Sequence, residues 1–229
     1  MLYCVAITVG YRLLKEKVRG YQVNRLQSII KRIADIVIAL IMLIVLSPLM
    51  LVILFAVFLC DGKPPVFKQK RLTKDGRVFT LYKFRSMRPG TEESYTLTLY
   101  EDPRVTPVGR IIRRFRLDEL PQLINVIKGD MSMVGPRPER PEIAREIEKN
   151  LPDFSKRLQV KAGLTGYAQV VGNYTTPSEQ KLAYDMYYIE HFSLGLDLTI
   201  MLMTAKVIFM SEKSEGLKPE KSDDAAEES

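Results

Sequence analysis

From Ile36 to Cys60 the chain runs for 25 residues without one charged side chain. No other feature restricts the fold as much. A straight helix of that length is about 37 Å long, enough to cross a hydrocarbon core of about 30 Å. A transmembrane helix is the first expectation, and two features oppose it. Ser47-Pro48 stands in mid-run, where proline removes a backbone donor and crowds the preceding turn. The Ser47 hydroxyl can satisfy a freed carbonyl and favour a bend. The flanks are the second feature. Residues 12–32 hold seven basic side chains (Arg12, Lys15, Lys17, Arg19, Arg25, Lys31, Arg32) against Glu16. Residues 61–77 hold six (Lys63, Lys68, Lys70, Arg71, Lys74, Arg77) against Asp61 and Asp75. Basic flanks stay on the cytoplasmic side. A span satisfies the length; a helix that dips in at Ser47-Pro48 and returns satisfies the charges. Residue physics leaves both open.

The remaining sequence is globular in composition. The chain of 229 residues is 46% hydrophobic and 9% aromatic, which excludes a largely disordered protein. Two cysteines, Cys4 and Cys60, exclude a disulfide framework, and the single His191 argues against a histidine-rich zinc or iron site. A metal here is a hard cation held by oxygens. Net charge is +7, with residues 211–229 contributing −4 and the first 210 residues +11. Such a body suits phosphates: an anionic membrane, a phosphorylated substrate or nucleic acid. No recognised nucleic-acid motif or row of stacking aromatics accompanies the basic stretch, so no nucleic acid is expected. Residues 1–10 are apolar but too short to span. Their basic residues follow rather than precede them, so a short anchor or a remnant of a longer architecture is expected, not a signal peptide.

Patterning predicts an α+β, mainly helical fold. Val66–Lys70 and Arg77–Phe84 are β-rich runs around Thr73-Lys74-Asp75-Gly76, whose Asp-Gly suits a hairpin turn. Residues 89–107 read as a loop. Gly109–Phe115 and Leu120–Ile127 read as short helices and Pro138–Asn150 as a charged amphipathic one. Residues 160–176 read as loop and short strand. Pro177–Phe192 reads as a helix opened by Thr176-Pro177. Leu194–Met210 is a mostly apolar helix, lying in a membrane interface or packing as core. Residues 211–229 read as a disordered tail.

The densest chemistry lies between Arg104 and Pro138. Arg104, Arg110, Arg113, Arg114 and Arg116 are followed at once by Asp118-Glu119. The arginines form a phosphate grip or a solvated helix face. The carboxylates supply a nucleophile and a metal ligand, or simply suit the dipole at the start of the next helix. Arg137, clamped between Pro136 and Pro138, has little freedom left to lose. Lys83 and Arg85 can add to the same basic site. Gly163-Leu164-Thr165-Gly166 permits close backbone approach. Asn173-Tyr174-Thr175 matches a glycosylation sequon without meaning in a cytoplasmic domain. Asp185 is either functional or a helix residue facing water.

Together these residues resemble the bacterial sugar transferases, the monotopic phosphoglycosyl transferases that begin polysaccharide and glycan assembly. The resemblance covers about residues 31–210. It rests on Lys31-Arg32 with Asp35, Ser47-Pro48, Asp61-Gly62, the run Phe79 to Met87, and Asp102 to Thr106. It continues through Leu117-Asp118-Glu119-Leu120-Pro121-Gln122-Leu123, Asn125-Val126, Gly129 to Ser132, Val134 to Pro138, and Gly163 to Gly166. Ala162 stands where the family commonly has proline, and Asp61 to Pro65 departs slightly from its usual glycine pair.

The resemblance implies a membrane-associated monotopic protein with interfacial amphipathic helices and a small β-hairpin. Its organisation would be a basic extension (1–30), a re-entrant helix bent at Ser47-Pro48 (31–61), a cytoplasmic catalytic domain (62–210) and an acidic tail (211–229). Larger members carry a multi-span region and a soluble domain in front, so this chain would be a minimal core with an extension or a core that lost its front half. The implied reaction moves a sugar-1-phosphate from a UDP-sugar to undecaprenyl phosphate at the cytoplasmic face of the bacterial inner membrane. Asp118 would be the nucleophile and Glu119 the ligand of Mg²⁺, with Mn²⁺ as a substitute. Lys83, Arg85, Arg137, Arg157 and Asp185 would bind substrate, and a homodimer follows by analogy. Two alternatives compete: an inactive membrane-bound anion-binding scaffold, and a glycosyltransferase that releases UDP.

Overall fold

The computed structural model describes residues 25–88, 90, 102–173 and 176–209. The expectations for residues 1–24, for most of the 89–107 loop, for the sequon at Tyr174 and for the 211–229 tail lie outside the described residues.

The apolar run forms one helix, α1 (Arg25–Asp61), of 37 residues. It continues through Pro48 as a single helix. Residue 48 has no N–H to give the Ile44 carbonyl, and the Ser47 hydroxyl donates to that carbonyl instead, at 2.8 Å. The freed acceptor is satisfied locally, so the Ser-Pro pair does not end the helix.

Both ends of α1 are fastened to the same folded body. At the N-terminal end, Arg32 donates to the carbonyls of Val126 (2.6 Å) and Ile127 (2.8 Å). Lys31 pairs with Asp197 at 2.6 Å, and Asp35 accepts from the Met133 amide at 3.1 Å. At the C-terminal end, Arg85 donates to the carbonyls of Asp61 (2.5 Å) and Gly62 (2.6 Å), and the Thr106 hydroxyl donates to the Asp61 carboxylate (2.8 Å). Between these anchors, Ala39 packs with Leu123, Val126, Met131 and Ile200, while Ile53 and Val57 pack with Phe84 and Ile112. Ile41, Ile44, Val45, Val52 and Phe55 remain exposed. An open apolar groove of about 440 Å³ lies under the helix midpoint, between Ser47, Met50 and Leu54 and the facing Phe84, Pro121 and Ile124.

The expected hairpin forms from β1 (Val66–Leu72) and β2 (Val78–Phe84), antiparallel, with Leu72 opposite Val78. Asp75 and Gly76 take φ of 57° and 72° in the turn, as Asp-Gly allows. Helix α2 (Pro107–Arg114) is capped by the Thr106 hydroxyl, which accepts from the Gly109 amide. Helix α3 (Gln122–Lys128) ends where Gly129 takes φ of 89°. The wholly buried Asn125 bolts α3 to β2: its side chain donates to the Thr80 carbonyl (2.8 Å) and accepts from the Tyr82 amide (3.1 Å).

One pairing departs from the sequence reading. Residues 132–134, to which patterning assigns no element, form β3 (Ser132–Val134), parallel to β4 (Gly163–Thr165). Backbones approach so closely there that a Cβ on Gly163 would stand 2.1 Å from the Gly135 nitrogen. Helix α4 (Pro141–Asn150) starts with proline at its first position, and a 3₁₀ helix follows at Pro152–Gln159. Helices α5 (Tyr167–Val171), α6 (Ser178–Glu190) and α7 (Leu194–Phe209) complete the described chain. Helix α7 packs as core through Asp197 and Ile200 and leaves Leu194, Leu198, Leu202 and Met203 exposed.

Replacing Asn125 with alanine strands a buried N–H and a buried carbonyl on β2. Asn125→Ala is expected to lower stability by about 2–4 kcal/mol. The urea midpoint of the purified protein in detergent checks this.

Candidate active site

The carboxylate pair sits on a turn of its own, not at the cap of α3. Arg116 takes a left-handed conformation (φ 54°) and redirects the chain out of α2. A 3₁₀ turn, Leu117–Glu119, follows, with the Glu119 amide donating to the Arg116 carbonyl (3.2 Å) and the Leu120 amide to that of Leu117 (3.2 Å). Residues three apart eclipse in such a turn. Leu117 and Leu120 therefore share one side and pack against the cluster of Ile53, Val57, Phe84 and Ile112. Asp118 and Glu119 are left on the other sides, half-buried. The capping alternative fails: α3 starts after Pro121, with no side-chain cap and no acid in its first turn.

Cations converge on this pair from three segments. Arg137 bonds Glu119 at 2.6 Å. That pairing, with Arg116 and Lys83 nearby, holds the Glu119 carboxyl below its usual range despite burial. The Arg137 guanidinium is correspondingly held more firmly protonated. Asp118 moves the other way, pushed up to about 6 by burial and by the neighbouring Glu119 charge, while Lys83, Arg113 and Arg137 pull it down. One carboxylate is thus committed to an ion pair and the other is unusually basic. Lys83 also lies 4.9 Å over the Phe67 ring.

The structure brings Asp118, Glu119, Lys83 and Arg137 together. It does not bring Arg85, Arg157 or Asp185 to the same surface. Lys83 and Arg85 are two apart, and the Arg85 amide still bonds the Pro65 carbonyl opposite it, but the Arg85 guanidinium is taken by the Asp61 and Gly62 carbonyls. Arg85 is buried at the end of α1. Arg157 and Asp185 pair with each other at 2.8 Å, with side chains 5% and 1% exposed. Burial pushes the Asp185 carboxyl up to about 6, against the pull of Arg157. Arg113 and Arg116 join the site, although the sequence reading counted them only within an arginine-rich stretch; their positions five and two residues before Asp118 were the available signal. Ser47 lines the apolar groove, whose wall also includes Pro121, three residues beyond Asp118.

Among the described residues, no group of three or more His, Cys, Asp or Glu side chains could hold a metal by itself. Asp118 and Glu119 instead offer the one or two carboxylates that Mg²⁺ takes when substrate phosphate and water supply its other ligands. The donor set fits a hard cation bound together with a phosphorylated substrate.

Residues 26–211 match the family model described as bacterial sugar transferase, which takes in the whole of this site. The chain belongs to the bacterial sugar transferase family. A relative from Aeromonas hydrophila, a UDP-N-acetylgalactosamine-undecaprenyl-phosphate N-acetylgalactosaminephosphotransferase, is 41% identical over 185 residues, covering 79% of this chain and 44% of that protein. The undecaprenyl-phosphate galactose phosphotransferase of Salmonella typhimurium is 36% identical over 208 residues, covering 84% and 43% respectively. An uncharacterized sugar transferase of Bacillus subtilis is 40% identical over 185 residues, covering 80% of this chain and 89% of that one. This chain therefore spans less than half the length of the first two relatives and most of the third.

If burial and Glu119 together raise Asp118, removing the Glu119 charge must lower it. Aspartate labelled with ¹³C at the carboxyl should show Asp118 titrating near 6 in the wild type and distinctly lower in Glu119→Gln. A wild-type midpoint near the ordinary 3.8 would show that neither cause operates.

Proposed function

We propose that this sugar transferase moves a sugar-1-phosphate from a UDP-sugar to undecaprenyl phosphate, releasing UMP. The observation that carries the reading is the basic Asp118 carboxylate beside a Glu119–Arg137 ion pair, among Lys83 and Arg113. An Asp carboxylate is a competent nucleophile toward phosphorus. Its oxygen attacks the sugar-bearing phosphorus, and the bond from that phosphorus to the bridging oxygen breaks. UMP leaves with the electron pair, and the phosphosugar stays on Asp118 as an acyl phosphate. A phosphate oxygen of the lipid then attacks the same phosphorus. The bond to Asp118 breaks, yielding the lipid diphosphate sugar and restoring the carboxylate. Arg137, Lys83 and Arg113 offset charge on the transferred group, the main demand of phosphoryl transfer. Glu119, with Asp118 beside it, would hold Mg²⁺ or Mn²⁺, which supplies further charge neutralisation at the phosphates. The names of the Aeromonas and Salmonella relatives support the reaction class, since both proteins act with undecaprenyl phosphate.

The placement of α1 supports a re-entrant helix and a monotopic protein on the cytoplasmic face of the inner membrane. Lys31, Arg32 and Asp35 at one end and Asp61 at the other bind one body. A transverse span would drag that body and its charges into hydrocarbon. The exposed Ile41, Ile44, Val45, Val52 and Phe55 instead suit partial immersion.

The deciding experiment uses purified protein in detergent with undecaprenyl phosphate, Mg²⁺ and a panel of UDP-sugars, wild type beside Asp118→Asn. Lipid-dependent UMP release that disappears in Asp118→Asn is expected. Protonation removes the nucleophile, so the rate should fall about tenfold per pH unit below the Asp118 midpoint and level off above it, with bound Mg²⁺ drawing that midpoint below the metal-free value of about 6. Release of UDP would mean a glycosyltransferase and no role for Asp118 as nucleophile. No release from any donor would favour the inactive scaffold.

A further inference from the structure

We infer that Arg157 and Arg71 are positioning residues that set the Arg137 guanidinium by gripping the backbone beneath it, with Asp185 and Glu139 as their counter-ions. The inference rests on the reading above, in which Arg137 meets the transferred phosphate.

The loop from Val134 to Glu139 is tied down carbonyl by carbonyl. The Val134 carbonyl accepts from the hydroxyls of Ser132 (2.9 Å) and Tyr188 (3.1 Å). That of Pro136 accepts from the Gly163 amide (2.9 Å), and that of Glu139 from the Leu72 amide (2.9 Å). The two carbonyls between them go to buried or half-buried guanidinium groups. Arg157 Nη2 donates to the Arg137 carbonyl at 3.0 Å, and Arg71 Nη1 to the Pro138 carbonyl at 2.9 Å. Prolines at 136 and 138 bring no N–H and fix their own φ. The backbone is held, and only the Arg137 side chain, 47% exposed, points outward to Glu119.

Arg157 is poorly placed to touch a substrate itself. Its side chain is 5% exposed, lies 4.8 Å over the Phe154 ring and is paired with Asp185. A lone guanidinium at such depth would be costly, so Asp185 is what permits a cation there. Glu139 reaches both braces, 3.7 Å from Arg157 and 3.8 Å from Arg71. A fork of donors on a rigid plane suits this task in a way that lysine does not. Small displacements of a positioned group are expensive in phosphoryl transfer, about 100-fold for roughly 1 Å.

A double-mutant cycle tests the inference. Arg157→Lys is expected to lower kcat for UMP release by about 10- to 100-fold with little change in KM. In an Arg137→Ala background the same change should cost less than about 2-fold, because its effect passes through Arg137. Losses that simply multiply would overturn the inference. Amide hydrogen exchange at Leu72 and Gly163, whose N–H groups bond the Glu139 and Pro136 carbonyls of this loop, supplies a readout independent of catalysis. It should quicken in Arg157→Lys and in Arg71→Ala while α3 stays protected. Unchanged exchange would refute the brace whatever the activity. Quickened exchange in a protein that releases no UMP from any donor would uphold the brace and sink the reaction reading instead. Arg71 is the less buried of the two, so Arg71→Ala carries the test if Arg157→Lys does not fold.

Discussion

Everything in this molecule hangs on a single apolar helix whose two charged ends are bonded to one body. Arg32 takes the last carbonyls of α3, and Arg85 takes the last carbonyls of α1 itself. In both places a guanidinium meets the negative end of a helix dipole, a pairing that gains strength away from water. Fixing both ends ties a segment long enough to cross a bilayer to one folded body at two places. The hairpin, α2 and α3 are then arranged along that helix, and the carboxylate turn is wedged between them.

The site is built by separating two adjacent acids. Leu117 and Leu120 pin the turn, Arg137 claims Glu119, and Asp118 is left half-buried beside a like charge. Two residues of similar chemistry acquire opposite tendencies from their surroundings alone. The left-handed Arg116 is the hinge that makes this possible. Such a conformation is rare for a residue with a Cβ, and it persists only where neighbouring packing outweighs its cost.

Features set by near neighbours were legible in the sequence. The uncharged run, the Asp-Gly hairpin and the Asp-Glu pair among arginines all follow from residues close together in the chain. What escaped depends on partners far away or on backbone angles. The β3–β4 pair is only three residues a side, joins segments on either side of α4, and leaves no periodicity to read. Arg85 looked like a companion of Lys83 because strand alternation puts i and i+2 on one face, yet its guanidinium is spent on carbonyls at the end of the long helix, partners more than twenty residues away. Arg157 entered the substrate contacts through the family resemblance, and Asp185 could equally have been a helix residue facing water; their mutual pairing across 28 residues leaves no local trace in the sequence. Nothing in the residue type of Arg116 announces its positive φ.

The shared apolar cluster under the carboxylate turn has a mechanical consequence. Leu117 and Leu120 rest on the same side chains, Ile53 and Val57, that belong to the long helix. On the proposed immersion of that helix, the height of Asp118 would be gauged from the lipid through one layer of side chains. A thicker or thinner membrane would raise or lower the whole reaction centre as a float moves with the water line, leaving its internal geometry unchanged.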